Sequence, residues 1–149
     1  MLDMIGQVVL ITGGTSGIGL AAAELFVAQG AAVMLAGRSA EKGEEVVARL
    51  AAAGAAAAFA RVDVRDEDAV RNLVAETVSE FGRLDVLVNS AGTINRILLT
   101  DLDQPDWDIV MDTNLRGVYL LCKHVLPILF EQRSGAVVNV ASYLGAYGA

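Results

Sequence analysis

The chain has 149 residues, enough for one core and too few for a separate substrate domain. Hydrophobic residues make up 54% and mean hydropathy is +0.50, so either the core is large or some apolar surface expects a partner. A formal charge of −7 with no run of Lys or Arg argues against a nucleic-acid surface, and the single cysteine, Cys122, excludes an internal disulfide.

No basic segment precedes the first apolar run, and that run is far too short to span a bilayer. A cytoplasmic protein without a membrane partner is expected. Short β-branched runs then alternate with longer helical patterns, which is the sequence form of repeated βαβ units around a parallel sheet. Strands are expected at residues 8–11, 32–36, 57–60, 84–88 and 136–140, and helices at 17–29, 41–53, 66–81 and 106–132. Several strands are apolar on both faces, as strands covered by helices on each side should be. Gly30, Gly54 and Gly82 each follow a helical run, where a left-handed C-cap is wanted, and Asp66 suits an N-cap. Pro127 should kink the last helix or break it. Cys122 is expected to pack, and His124 to lie on a helix surface or interface. No cluster has metal-ligand spacing, so no metal is expected.

The first strand runs into Thr12-Gly13-Gly14-Thr15-Ser16-Gly17-Ile18-Gly19, and a helical pattern follows at once. Glycines let the backbone turn sharply and approach a pyrophosphate, while the helix start offers unpaired N–H donors and positive dipole. Thr15 and Ser16 can add hydroxyl donors. Residues 17–22 alone also satisfy the general Gly-x-Gly-x-x-Gly/Ala fingerprint; both alignments predict dinucleotide binding. After the second strand an acidic side chain would hold the ribose hydroxyls of NAD, but this place reads Ala36-Gly37-Arg38-Ser39. A cation with no carboxylate at Gly37 suits a 2′-phosphate, so NADP is favoured as cofactor, with NAD and a purely solvated Arg38 as the alternatives.

Further along lie Asp63-Val64, Asn89-Ser90-Ala91-Gly92, Asp112-Thr113-Asn114-Leu115-Arg116-Gly117-Val118 and Gly135-Ala136-Val137-Val138-Asn139-Val140-Ala141-Ser142. With the glycine turn, and in this order, these segments resemble the short-chain dehydrogenase/reductase family across essentially the whole chain. The resemblance implies a doubly wound Rossmann-type sheet and hydride transfer between a nicotinamide cofactor and an alcohol or ketone. It implies cofactor contacts at Gly13, Thr15, Ser16, Gly17, Ile18, Gly19, Arg38, Ser39, Asp63, Val64, Asn89, Ala91 and Gly92. Catalytic places fall to Ser142, which would position the substrate oxygen, and Asn114, which would hold a proton-relaying water. Self-association as a homodimer or homotetramer through the long helix is also implied.

The family's Tyr-x-x-x-Lys pair is expected roughly a dozen residues after Ser142, on one face of a further helix. The chain is therefore expected to be the family's N-terminal portion, about five strands truncated before that helix, with the last strand an exposed apolar edge. Tyr119-Leu120-Leu121-Cys122-Lys123 matches the pair literally but precedes the fifth strand, so it is set aside. Tyr143 and Tyr147 are expected in the active-site loop. Thr93-Ile94-Asn95-Arg96 is similar to segments of sugar-acid dehydrogenases, where Arg96 would meet a carboxylate or simply remain solvated. The alternative to an enzyme is a catalytically incomplete nucleotide-binding or interaction module of the same fold.

Overall fold

The computed structural model describes residues 3–142; Tyr143 and Tyr147, expected in the active-site loop, lie outside the described residues. Five strands form one parallel sheet: β1 (Val8–Thr12), β2 (Ala32–Gly37), β3 (Ala57–Arg61), β4 (Val86–Asn89) and β5 (Ala136–Asn139), in the order β3-β2-β1-β4-β5. Helices α1 (Gly17–Ala28), α2 (Ala40–Ala52), α3 (Glu67–Phe81), α4 (Gln104–Met111) and α5 (Gly117–Gln132) connect them.

The residues of β1 explain why the sheet is covered twice. Side chains alternate across a strand, so Val9 and Ile11 enter a core with Ala23, Val46 and Leu50 from α1 and α2. Leu10 enters the opposite core with Val70, Leu73, Leu120, Leu121 and Val125 from α3 and α5. All five β1 residues are buried, and each fully buried aliphatic chain contributes about 1.5–3 kcal/mol relative to exposure. This is the doubly wound Rossmann-type arrangement expected from the apolar strands.

Element ends follow local chemistry. Asp66 caps α3 by accepting from the N–H groups of Asp68 and Ala69, and Asp103 caps α4 through Asp106 N–H, with Pro105 in the first turn. Gly30, Gly54 and Gly82 take the left-handed backbone expected of them.

Several expected bounds shift by a residue, and the following expectations need correction. The helix expected at 106–132 is α4 and α5 joined by a π turn at Asp112–Arg116. Of the kink or break expected at Pro127, the break does not occur: α5 runs on to Gln132. The carbonyl deprived of its donor belongs to Lys123, an exposed residue. Strand β4 begins at Val86 because Leu84 and Asp85 serve its approach: Asp85 Oδ2 accepts from Val8 N–H (2.9 Å) while Arg83 grips the same carboxylate (2.7–2.8 Å). Strand β5 ends at Asn139, one residue early, although Val140 N–H still donates to Asn89 O (2.9 Å).

Strand β5 is an edge of the sheet, and Val138 there is 47% exposed. No helix among the described residues is long and apolar enough to cross a membrane.

Candidate functional site

Register places Thr12, Ala36, Asn89 and Asn139 at one level across the sheet. The turns that follow these residues therefore open on the same end. Strand order reverses between β1 and β4, and at such a switch point the flanking connections diverge and leave a crevice beyond the carboxyl ends of the strands. A cleft of about 380 Å³ occupies that place. It is lined by the glycine turn, by Ala36–Arg38 and Val62–Val64, and by Ser90–Thr93, Ile109, Thr113 and Val140.

The glycine turn is held open by its backbone. Gly13 and Gly17 have φ of 66° and 53°, which side chains with a Cβ rarely adopt. Gly13 N–H donates to Ala36 O (2.9 Å), and a Cβ on Gly13 would lie 2.9 Å from Ser90 O. Thr12 Oγ1 accepts from the N–H groups of both Ser90 and Ala91 (3.2 Å each), fastening the turn after β4 to the end of β1. Ser16, the N-cap of α1, makes no side-chain cap hydrogen bond among the described residues, and no acidic residue fills the first turn. The N–H groups at the start of α1 thus lack intrahelical acceptors, and Gly17 and Ile18 line the cleft.

Two charged residues line the cleft among the described ones, Arg38 and Asp63. Gly37 adds no charge, and a Cβ there would make ordinary contacts with Thr15 at 3.5 Å and Phe59 at 3.6 Å. The Asp63 carboxyl is held below the usual carboxylate range, chiefly by hydrogen bonds from the Arg65 side chain, with further help from the Arg65 and Arg38 charges.

Ten of the expected cofactor residues line the cleft: Gly13, Thr15, Ser16, Gly17, Ile18, Arg38, Asp63, Val64, Ala91 and Gly92. Three do not. Gly19 is buried at the start of α1, where a Cβ would collide with the carbonyl of Gly13. Ser39 caps α2 by accepting from Lys42 N–H (3.4 Å). Asn89 is buried, and its Nδ2 donates to Asn139 Oδ1 (2.8 Å), tying β4 to β5. These are roles in holding the walls.

Asn114 lies on the π turn and spans the backbone of Thr93: its Nδ2 donates to Thr93 O and its Oδ1 accepts from Thr93 N–H, both at 2.8 Å. Ser142 follows β5 at the same end of the sheet, two residues past the cleft-lining Val140. Tyr119 is 57% exposed on α5, and Lys123 pairs with Glu67 of α3 (2.6 Å), away from the cleft lining. His124 is partly buried beside the same Glu67 oxygen (3.2 Å), and Cys122 packs against the core under Asn89 Nδ2. Val62, Ser90, Thr93, Ile109, Thr113 and Val140 also line the cleft and were not expected from the sequence; only their nearness to the Asp63, Asn-Ser-Ala-Gly, Asn114 and Ser142 segments signalled them.

The family model described as short chain dehydrogenase matches residues 7–149. The 3-oxoacyl-(acyl-carrier-protein) reductase FabG of Chlamydia pneumoniae is 36% identical, over 99% of this chain and 59% of its own length. That of Staphylococcus aureus is 42% identical, over 93% of this chain and 57% of its own. A 3beta-hydroxysteroid dehydrogenase of Mediterraneibacter gnavus is 38% identical, over 95% of this chain and 51% of its own. The chain thus spans between half and three fifths of the length of these relatives.

Proposed function

This chain belongs to the short chain dehydrogenase family, and on that premise we propose that it supplies the cofactor cleft and two active-site groups of an NADP-dependent oxidoreductase interconverting a ketone and an alcohol. The observation that carries this is the cleft itself: an uncapped helix start, two left-handed glycines and Arg38 without a carboxylate at Gly37. These residues fit the cofactor. The amides of Gly17 and Ile18 would face the pyrophosphate, Arg38 the 2′-phosphate, and Asp63 and Val64 the adenine. When bound, NADP supplies the hydride or its acceptor.

The chain's own groups act around that event. Ser142 orients the substrate oxygen with its hydroxyl. Asn114 is fixed on the cleft wall by its two hydrogen bonds to the Thr93 backbone, and its second amide hydrogen and second oxygen lone pair remain to hold a proton-relaying water. The exposed Arg96 would meet a substrate carboxylate if the substrate is acidic. Relatives named for oxoacyl and steroid substrates make a keto or hydroxyl group on a varied carbon skeleton the common denominator.

Titration of the chain with NADPH and NADH tests the assignment. A unit charge pair at about 4 Å is worth roughly 1 kcal/mol in water and about 4 at an effective dielectric of 20, so NADPH should bind from a few-fold to several-hundred-fold more tightly. Arg38→Ala should abolish most of that difference. Equal binding, or tighter NADH, overturns NADP. Binding of NADPH without oxidation by any of a panel of ketones supports instead a nucleotide-binding module.

A further inference from the structure

The lining of the cleft carries one cation, Arg38, and one anion, Asp63, among the described residues. The Asp63 charge opposes that of Arg38 and weakens the attraction the cleft offers a 2′-phosphate bearing nearly two negative charges. Arg65, just behind the wall, changes that balance. Its Nε donates to both Asp63 oxygens (3.0 and 3.1 Å), its Nη2 to Oδ2 (2.6 Å), and its backbone N–H to Oδ1 (3.1 Å). The loop is anchored from a second element, since Arg116 Nη1 on the π turn donates to Arg65 O (3.1 Å). Asp63 is ionised and paired near neutral pH, because the Arg65 contacts hold its carboxyl low, and it lies within electrostatic reach of Arg38.

We propose that Arg65 determines cofactor specificity by masking Asp63, leaving Arg38 as the net positive charge that selects a 2′-phosphorylated dinucleotide; this rests on the NADP assignment. Arg65 is not itself among the residues lining the cleft; it touches the lining only through Asp63. It acts through Asp63 and is a positioning residue. The side chains of the pair are 37% and 36% exposed, so water screens the effect and moderates its size.

The test is the ratio of NADPH to NADH dissociation constants. In Arg65→Gln the ratio should shift toward NADH by roughly three- to thirty-fold, as expected for one added charge several ångströms from the phosphate. NADH affinity itself should change less than two-fold. Arg65→Lys, which keeps a charge, should hold the ratio near its original value. Adding Asp63→Asn to Arg65→Gln should restore it, because the unmasked charge is gone while any lost adenine contact falls on both cofactors alike. Equal weakening of both cofactors in Arg65→Gln, or an unchanged ratio, overturns the masking role and leaves the NADP assignment intact. No preference for NADPH in the unsubstituted chain overturns the NADP assignment itself.

Discussion

Gly19 has no room for a methyl group, since a Cβ there would collide with the carbonyl of Gly13 across the turn. The obstacle is backbone, so the turn must open to admit it. Gly19→Ala is expected to cost about 1–3 kcal/mol, in the range of an overpacked site, and to weaken NADPH binding by distorting amides that would face the pyrophosphate. A thermal melt and a cofactor titration check both effects; an unchanged melting temperature and affinity would contradict the close approach. The glycine turn was legible because its information is local: strand, glycines and helix follow one another within about a dozen residues. Asn89 and Ser39 were harder. Their types suit a nucleotide contact equally well, and only the fold shows the partners they hold, Asn139 fifty residues away and the Lys42 amide.

At the scale of elements, the seam between α3 and α5 is closed by one shared carboxylate oxygen. Glu67 accepts from Lys123 Nζ (2.6 Å) and faces His124 Nε2 (3.2 Å). The Lys123 hydrogen bond, followed by that of His124, holds the Glu67 carboxyl below its usual range. A lowered folded-state pKa contributes stability that is complete above the unfolded value of about 4.3 and is lost as pH falls through the folded value. Urea melts taken from about pH 5 down to about pH 3 should therefore fall more steeply for the unsubstituted chain than for Glu67→Gln. Parallel slopes would contradict the contact. The contribution is small, because the Glu67 side chain is 37% exposed. Sequence periodicity located α3 and α5 but not the π turn between α4 and α5. Such a turn adds a residue to the hydrogen-bonding register without any side-chain signature, yet it sets Asn114 against Thr93.

For the molecule as a whole, the sheet order β3-β2-β1-β4-β5 makes the cleft a consequence of topology, because connections diverge to opposite faces between β1 and β4. A ligand that binds only the folded cleft must stabilise all five strands together. NADPH at a hundred times its dissociation constant should add about 2.7 kcal/mol and raise the melting temperature by roughly 5–10 °C. A melting temperature indifferent to NADPH would contradict a folded cofactor cleft. The fold class was written in the sequence by itself, because buried parallel strands must be apolar on both faces and their crossover helices amphipathic. The glycine turn and the Arg38 loop were legible too, since each is built from neighbours in the chain. Tertiary structure alone decided the charge the cleft presents: Asp63 and Arg65 are close in sequence, but only the fold shows them clasped, held by Arg116 and set beside Arg38. Charge is additive over space rather than along the chain, so its sum at the cleft follows from which residues the fold brings together.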